Sequence, residues 1–131
     1  MLLASRSRPG ADCALNILIV EDDPDSRESF CAILEDAGHG CVSVKSGKEA
    51  LEHLNSHPLP DAILLDMLMP EMDGWQFRKA QLADPKLAKI PVVVITAVDQ
   101  ARNSALRFGA SSFLTKPVHP DSLLGAFRQL A

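Results

Sequence analysis

The sequence lacks an excess of positive charge. Its 131 residues contain 13 Lys and Arg against 17 Asp and Glu, so the formal net charge is −4 at pH 7, and no basic stripe appears. Proteins that bind nucleic acid or other polyanions neutralise phosphates with clustered basic side chains. We therefore expect no direct nucleic-acid partner, and nothing after the last helical pattern predicts a DNA-binding module.

Long apolar runs and cysteine motifs are missing too. The first residues, MLLASRSRPGADCA, are far short of a signal core or a membrane span, and we interpret residues 1–14 as a flexible leader. The three cysteines, Cys13, Cys31 and Cys41, form no CxxC or metal-ligand spacing, and an odd number argues against a disulfide framework. We expect no membrane partner and a reducing, cytoplasmic location.

The chain also lacks room for a second folded domain. With 47% hydrophobic and 23% charged residues, its composition is that of one ordinary globular domain, which we place at residues 15–131. Within it, apolar runs alternate with helical patterns, and three of the runs are almost continuously aliphatic, as strands covered on both faces are. The predicted strands are 16–20, 41–44, 62–65, 92–95 and 112–115.

Helical patterns follow each strand. In the first, apolar residues recur from Phe30 to Ala37 and stop at Gly38, a residue suited to a helix C-terminus. Ser46 and Glu49 form a capping box ahead of the second. The remaining predicted helices are 74–82, 99–108 and one from Pro120 to near Leu130. Five βα units in a row predict an α/β fold with a parallel, doubly wound sheet.

Reactive side chains occur where the predicted strands end. Glu21, Asp22 and Asp23 follow the first strand, Asp66 the third, Thr96 the fourth and Lys116 the fifth. In a parallel sheet these ends meet at one edge, where ligands bind.

Each residue alone has an ordinary explanation. The acids after the first strand favour the N-terminus of the next helix, and Asp23 need do no more than this. Asp66 could be a turn residue, Thr96 a strand-end hydroxyl and Lys116 a solvated amine. These separate explanations do not account for the occurrence of all of these side chains at one edge of the sheet.

The combination has an economical chemical interpretation. Glu21, Asp22 and Asp66 would repel one another unless a cation lay between them, and hard oxygen ligands suit Mg²⁺. A carboxylate beside such a cation can act as a nucleophile and form an aspartyl phosphate. Thr96 and Lys116 would then supply the hydroxyl and positive charge that a phosphoryl group needs.

Four segments in order resemble the receiver domain of bacterial two-component response regulators, in the CheY-like superfamily. They are ILIVEDD, AILLDMLMPEMDG, PVVVITA and GASSFLTKP. Each is a weak motif by itself, but the ordered set is highly specific and covers roughly residues 15–131. The resemblance implies a flavodoxin-like five-stranded sheet of strand order 2-1-3-4-5. It also implies a regulatory domain that catalyses only its own phosphorylation and dephosphorylation.

The resemblance assigns roles to individual residues. It implies that Asp66 is the phosphoacceptor and that Asp22 binds Mg²⁺ directly, with Glu21 acting through water and the backbone carbonyl of Leu68 as a further ligand. Thr96 would hydrogen-bond the phosphoryl group and Lys116 would pair with it. The resemblance also implies that the Lys116–Pro117 peptide bond is cis, and that Phe113 and Thr96 together act as a switch.

The same resemblance implies the partners. A sensor histidine kinase or a histidine phosphotransfer protein would supply the phosphoryl group, and an unknown downstream protein would bind the face formed by the last helices and strand. Three positions depart from the usual pattern. Leu68 and Val98 have no hydrogen-bonding groups beside the path of attacking water, which predicts slow dephosphorylation, and His119 stands where Asp or Asn would cap the last helix.

Two other classes of protein fit less well. A haloacid-dehalogenase-type phosphatase also uses an Asp nucleophile and Mg²⁺, but it needs a second Asp two residues later, where this chain has Leu68. A pseudo-receiver would keep the fold without phosphorylation, but this chain retains every reactive residue.

Overall fold

The computed structural model describes residues 14–67, 74–96 and 109–130. These ranges contain five strands and four helices. The strands are β1 (Asn16–Val20), β2 (Gly40–Val44), β3 (Ala62–Asp66), β4 (Val92–Thr96) and β5 (Ser112–Thr115). The helices are α1 (Pro24–Asp36), α2 (Gly47–Ser56), α3 (Gly74–Ala83) and α4 (Pro120–Arg128). The predicted helix over 99–108 and nearly all of the leader lie outside the described residues.

The strands form one parallel sheet in the order β2-β1-β3-β4-β5. Both the doubly wound topology and the predicted strand order are therefore confirmed. The chain reverses its direction of travel across the sheet between β1 and β3, which are hydrogen-bonded neighbours with Val20 beside Leu65. Next to them, Asp66 of β3 pairs with Ile95 of β4. Because β1, β3 and β4 are parallel neighbours, their ends lie side by side at the carboxyl edge.

Alternate residues of the central strands point into two apolar layers. On one face, Leu18, Ile63 and Val94 lie in a cluster with Phe77 of α3 and residues of α2. On the other, strand residues such as Ile19 and Leu64 lie in a cluster with residues of α1 and α4. Every residue of β3 and β4 is buried, as their continuous aliphatic sequences predict. Asp66 and Thr96, the last residues of these two strands, therefore lie at the carboxyl edge on fully buried strands.

The helix ends follow the local sequence closely. Asp23 caps α1 by accepting a hydrogen bond from the Ser26 backbone N–H, and Pro24 occupies the first turn. Gly38 has φ 101°, so the chain leaves α1 through a conformation that favours glycine, as expected. His119 stands at the N-cap of α4 and makes no side-chain capping bond, which also agrees with the sequence.

The capping box of α2 differs from its expected form. Ser46 Oγ accepts a hydrogen bond from the Glu49 backbone N–H at 3.1 Å, as predicted. Glu49 Oε1, however, accepts from the backbone N–H of Lys45 at 3.2 Å, one residue before the cap. The Lys45 ammonium lies 3.8 Å from Glu49 Oε2, so the Glu49 carboxylate contacts both the backbone and the side chain of Lys45.

None of the helices in the described part of the chain has the length and apolar character needed to span a lipid bilayer.

Candidate functional site

Three carboxylates meet at the carboxyl edge of the sheet. Glu21 and Asp22 follow β1 directly, and Asp66 is the last residue of β3. One carboxylate oxygen from each of the three residues lies within 4.8 Å of the other two. Glu21 is 1% exposed and Asp66 is 3% exposed, so two of the three acids are withdrawn from water. Adjacent parallel strands have therefore concentrated negative charge in a buried pocket.

Lys116 brings the compensating positive charge. It follows β5, and its Nζ lies 3.1 Å from Glu21 Oε1 and 3.2 Å from Asp66 Oδ2. Burial lowers the pKa of Lys116, but its contact with Glu21 and the charge of Asp66 outweigh burial, so the pKa lies above its ordinary value. The lysine therefore stays protonated as it bridges the two buried acids.

One lysine does not neutralise the pocket. Burial, followed by hydrogen bonding with Asp66, raises the pKa of Glu21 to about 7, although the Asp23 backbone N–H acts in the opposite direction. Glu21 Oε1 is a buried acceptor without a directed hydrogen bond, and its 3.1 Å approach to Lys116 Nζ is an ion pair. Both observations indicate a pocket that still lacks positive charge.

These properties fit a divalent cation. The donors are carboxylate oxygens, which are the ligands that Mg²⁺ and Ca²⁺ prefer. The buried Oε1 of Glu21 has an unused acceptor position. Mg²⁺ is bound by one or two carboxylates, retains several waters and bridges to phosphate, and so suits a small cluster of this kind.

Thr96 lies on β4, the strand next to Asp66, and Phe113 lies on β5, one strand further away. Thr96 ends β4, is fully buried, and accepts a hydrogen bond through its carbonyl from the Lys116 backbone N–H at 2.9 Å. Phe113 of β5 pairs with Val94 and is half-buried against the apolar layer that contains Phe77. The Lys116–Pro117 peptide bond is cis. Leu68 and Val98 lie outside the described residues.

Close packing holds the chain directly after Asp66. A Cβ atom on Gly74 would lie 2.5 Å from Met67 Cα and 2.8 Å from the Asp66 carbonyl oxygen, distances that no side chain tolerates. The Gly74 backbone N–H donates to the Met67 carbonyl at 3.2 Å. Glycine is therefore required for α3 to begin against the end of β3.

The loop after β1 contains a contact that the sequence analysis did not anticipate. Arg27, in the first turn of α1, donates from Nη1 to the carbonyl oxygens of Glu21 at 3.0 Å and Asp22 at 3.1 Å. Asp23 contributes to the helix cap, and the hydroxyl and then the backbone N–H of Ser26 lower the pKa of its carboxyl group. A basic residue in a first helical turn ordinarily indicates a solvated surface, so only the fold reveals where this guanidinium points.

Comparison with known proteins finds one family along most of the chain. Residues 17–128 match the model described as "Response regulator receiver domain". Protein PilH of Pseudomonas aeruginosa is 34% identical over 110 residues, which are 82% of this chain and 90% of PilH. Response regulator Rre1 of Synechocystis is 36% identical over 119 residues, 88% of this chain but only 51% of Rre1. The chain therefore spans about half of some relatives and nearly all of others.

Solved structures agree with this finding. The signal receiver domain of a signal transduction histidine kinase from Syntrophus aciditrophicus has a TM-score of 0.81 at 37% identity, with 89% of each chain covered. Chemotaxis protein CheY4 of Vibrio cholerae has a TM-score of 0.81 at 27% identity, covering 90% of this chain and 99% of CheY4. The likeness therefore extends across nearly the whole described fold.

Proposed function

Because the chain belongs to the response regulator receiver family, we propose that it is a phosphoacceptor in two-component signalling. Asp66 receives a phosphoryl group from a phosphohistidine on a sensor histidine kinase or a histidine phosphotransfer protein. The observation that carries this proposal is the buried cluster in which Lys116 Nζ lies within 3.2 Å of both Glu21 and Asp66. The domain is a signalling domain, and we assign it no reaction beyond its own phosphorylation and dephosphorylation.

The proposed reaction transfers one phosphoryl group between two side chains. A carboxylate oxygen of Asp66 attacks phosphorus, a P–O bond forms, the P–N bond to the donor imidazole breaks, and that nitrogen keeps the bonding electron pair. In this proposal Lys116 pairs with the transferred group, and the Thr96 hydroxyl donates a hydrogen bond to it. Such transfer depends mainly on positioning and on charge neutralisation.

The proposed metal ligands are Asp22, Asp66 and the carbonyl of Leu68, with Glu21 acting through water. When bound, Mg²⁺ neutralises negative charge on the phosphoryl oxygens and on the carboxylates. The carboxyl groups of Glu21, Asp22 and Asp66 lie close together, so the negative oxygens of an incoming phosphoryl group are repelled until a cation offsets the charge of the pocket. The proposed requirement for the cation thus originates in the protein's own charges.

The phosphoryl group must also be communicated to a partner. We propose that Thr96 moves toward the phosphorylated Asp66 and that Phe113 packs into the space released. Thr96 is connected to Lys116 through the backbone, and Phe113 lies three residues before Lys116 on β5. The surface of β5 and α4 then changes shape for an unidentified downstream protein.

Mass spectrometry after treatment with acetyl phosphate and Mg²⁺ tests the phosphoacceptor. We expect the protein to gain one phosphoryl group, which should be stable in acid, labile in base and attached to Asp66. The Asp66→Asn variant should gain none, whereas Asp36→Asn, an exposed acid at the end of α1, should behave as wild type. A phosphoryl group on another residue, or none at all, would contradict the proposal.

A further inference from the structure

We propose that Arg27 is a positioning residue for Asp22, and that its guanidinium sets the direction in which the Asp22 carboxylate points into the metal site. This inference rests on the proposed function, because it concerns the same site. Arg27 is not itself placed to bind the metal, since its Nη1 contacts backbone carbonyls of the loop.

The two hydrogen bonds of Nη1 reach the peptide units on both sides of Asp22. The Glu21 carbonyl, at 3.0 Å, belongs to the peptide that enters Asp22, and the Asp22 carbonyl, at 3.1 Å, belongs to the peptide that leaves it. Each peptide unit is planar, so fixing its carbonyl restricts the whole plane. The orientations of the two planes determine φ and ψ of Asp22, and therefore the direction of its Cα–Cβ bond.

The second of these peptides is held at its other end as well. The Asp23 backbone N–H donates to Glu21 Oε2 at 3.1 Å, while the carbonyl of the same peptide accepts from Arg27. The Arg27 backbone N–H in turn donates to the Asp23 carbonyl at 2.9 Å. A closed set of hydrogen bonds therefore connects the first turn of α1 with the residues that end β1.

Charge and position make opposite predictions for Arg27. A guanidinium near a metal site repels a divalent cation, so its charge alone would weaken Mg²⁺ binding. Its hydrogen bonds would strengthen binding, because the Asp22 carboxylate would not have to be ordered when the ion arrives. The sign of the change in Mg²⁺ affinity on removing Arg27 therefore distinguishes the two effects.

The experiment measures Mg²⁺ binding to the whole chain by isothermal titration calorimetry at constant ionic strength. Arg27→Met removes the hydrogen bonds and keeps much of the apolar stem, and Arg27→Lys retains a cationic donor. Arg128→Met is the matched control, since Arg128 is exposed on α4. We expect Arg27→Met to bind Mg²⁺ about tenfold more weakly, the usual scale for losing a group that orients a ligand. Arg27→Lys should recover part of the affinity and Arg128→Met should match wild type.

Two further measurements separate positioning from folding. Urea unfolding in EDTA reports stability without metal. Phosphorylation by acetyl phosphate at varied Mg²⁺ should show a roughly tenfold higher Mg²⁺ requirement in Arg27→Met, with a rate at saturating Mg²⁺ within about twofold of wild type. If Arg27→Met does not fold, Arg27→Gln is judged by the same criteria.

An affinity equal to or higher than that of wild type in Arg27→Met would overturn the inference, even if stability in EDTA fell. In that case Arg27 would be a structural residue or a repelling charge. A wild-type protein that bound no Mg²⁺ would overturn both this inference and the proposed metal site. If Arg27→Met binds Mg²⁺ more weakly but the wild-type protein is not phosphorylated, the inference about Arg27 stands, and only the proposed phosphoacceptor role of Asp66 is contradicted.

Discussion

At the scale of single residues, the acidic pocket combines the buried carboxyl groups of Glu21 and Asp66 with the ammonium group of Lys116. Glu21, Asp66 and Lys116 were expected to converge because parallel strands end at one edge, and their side chains do meet there. The pKa of Glu21 depends on how deeply the pocket excludes water, which no spacing of residues reveals. The contacts of the Arg27 guanidinium likewise depend on the path of the loop after β1.

Asp22 provides the most direct test of the proposed metal site. Mg²⁺ that binds only the folded state should raise the melting temperature as its concentration increases. Asp22→Asn should abolish most of this rise, because it removes a charged ligand without changing the size of the side chain. Thermal unfolding with increasing MgCl₂ measures the effect, and Asp36→Asn is the control of equal charge. A full Mg²⁺-dependent rise in Asp22→Asn would exclude this residue as a ligand.

His39 gives the fold a dependence on pH far from the acidic pocket. Its Nδ1 accepts the Leu15 backbone N–H at 3.0 Å, so the ring must be neutral, and burial lowers its pKa below the ordinary 6.5. Below about pH 6.5 the unfolded chain binds a proton at His39 that the folded chain resists. The stabilisation is therefore complete above that pH and decreases as the pH falls.

We expect the free energy of unfolding to fall less between pH 7 and pH 5 in His39→Asn than in wild type. The Asn side chain can still accept the Leu15 N–H but does not titrate. Urea unfolding at several pH values measures this slope, with His119→Gln as an exposed control. An identical slope in wild type and His39→Asn would show that another group governs acid sensitivity.

At the scale of secondary structure elements, the sequence located every described strand within one residue and the bounds of α3 and α4 within about two residues. Hydrophobic periodicity and end signals such as Gly38 are local properties, so they can be recognised without knowing the fold. The connection from α3 to β4 could not be recognised from such local signals, because its backbone is hydrogen-bonded by a side chain that only the fold buries. Arg78 is 5% exposed and Gln81 is fully buried, and their polarity gave no sign of burial in the sequence.

Gln81 connects three parts of the chain. Its Nε2 donates to the carbonyls of Leu87 at 2.9 Å and Ile90 at 3.1 Å, and its Oε1 accepts from Arg78 Nη1 at 2.7 Å. Arg78 Nη2 also donates to the Gly109 carbonyl at 3.3 Å, and burial lowers the pKa of Arg78. These contacts fix the turn that leads into β4, and they connect α3 to Gly109, three residues before β5.

Gln81→Met should therefore destabilise the fold by about 2–4 kcal/mol, because it leaves buried donors and acceptors without their partner while nearly conserving volume. Urea unfolding with and without the substitution measures the loss. Lys79→Met, at an exposed position of the same helix, should change stability by less than about 0.5 kcal/mol. A loss in Gln81→Met no greater than in the control would show that water replaces these hydrogen bonds.

At the scale of the whole molecule, the order of the strands determines how far the proposed signal must travel from Asp66. Asp66 is in the central strand, and only β4 separates it from β5. A change at Asp66 can therefore reach the surface of β5 and α4 through one intervening strand. Sequence alone predicted this order by resemblance to a family, since the alternation of strands and helices is compatible with other orders.

The proposed switch can be tested with beryllofluoride, which imitates a phosphoryl group on an aspartate such as the proposed acceptor Asp66. With Mg²⁺ present, we expect amide chemical shifts to change around the pocket and also along residues 109–127, because the proposed movements of Thr96 and Phe113 would connect the two regions. Nuclear magnetic resonance spectra with and without beryllofluoride make the comparison, and Asp66→Asn should show no change. Shifts confined to the residues beside Asp66 would contradict the proposed coupling.

Complete burial of β3 and β4 has a consequence for local unfolding. Both strands are covered on their two faces and flanked by other strands, whereas β2 and β5 are sheet edges with partly exposed residues. Amide hydrogen exchange should therefore be slowest in β3 and β4, and the outer strands should open at lower free energy. We therefore expect β3, which carries Asp66, to stay folded while β5, which carries Phe113, opens locally.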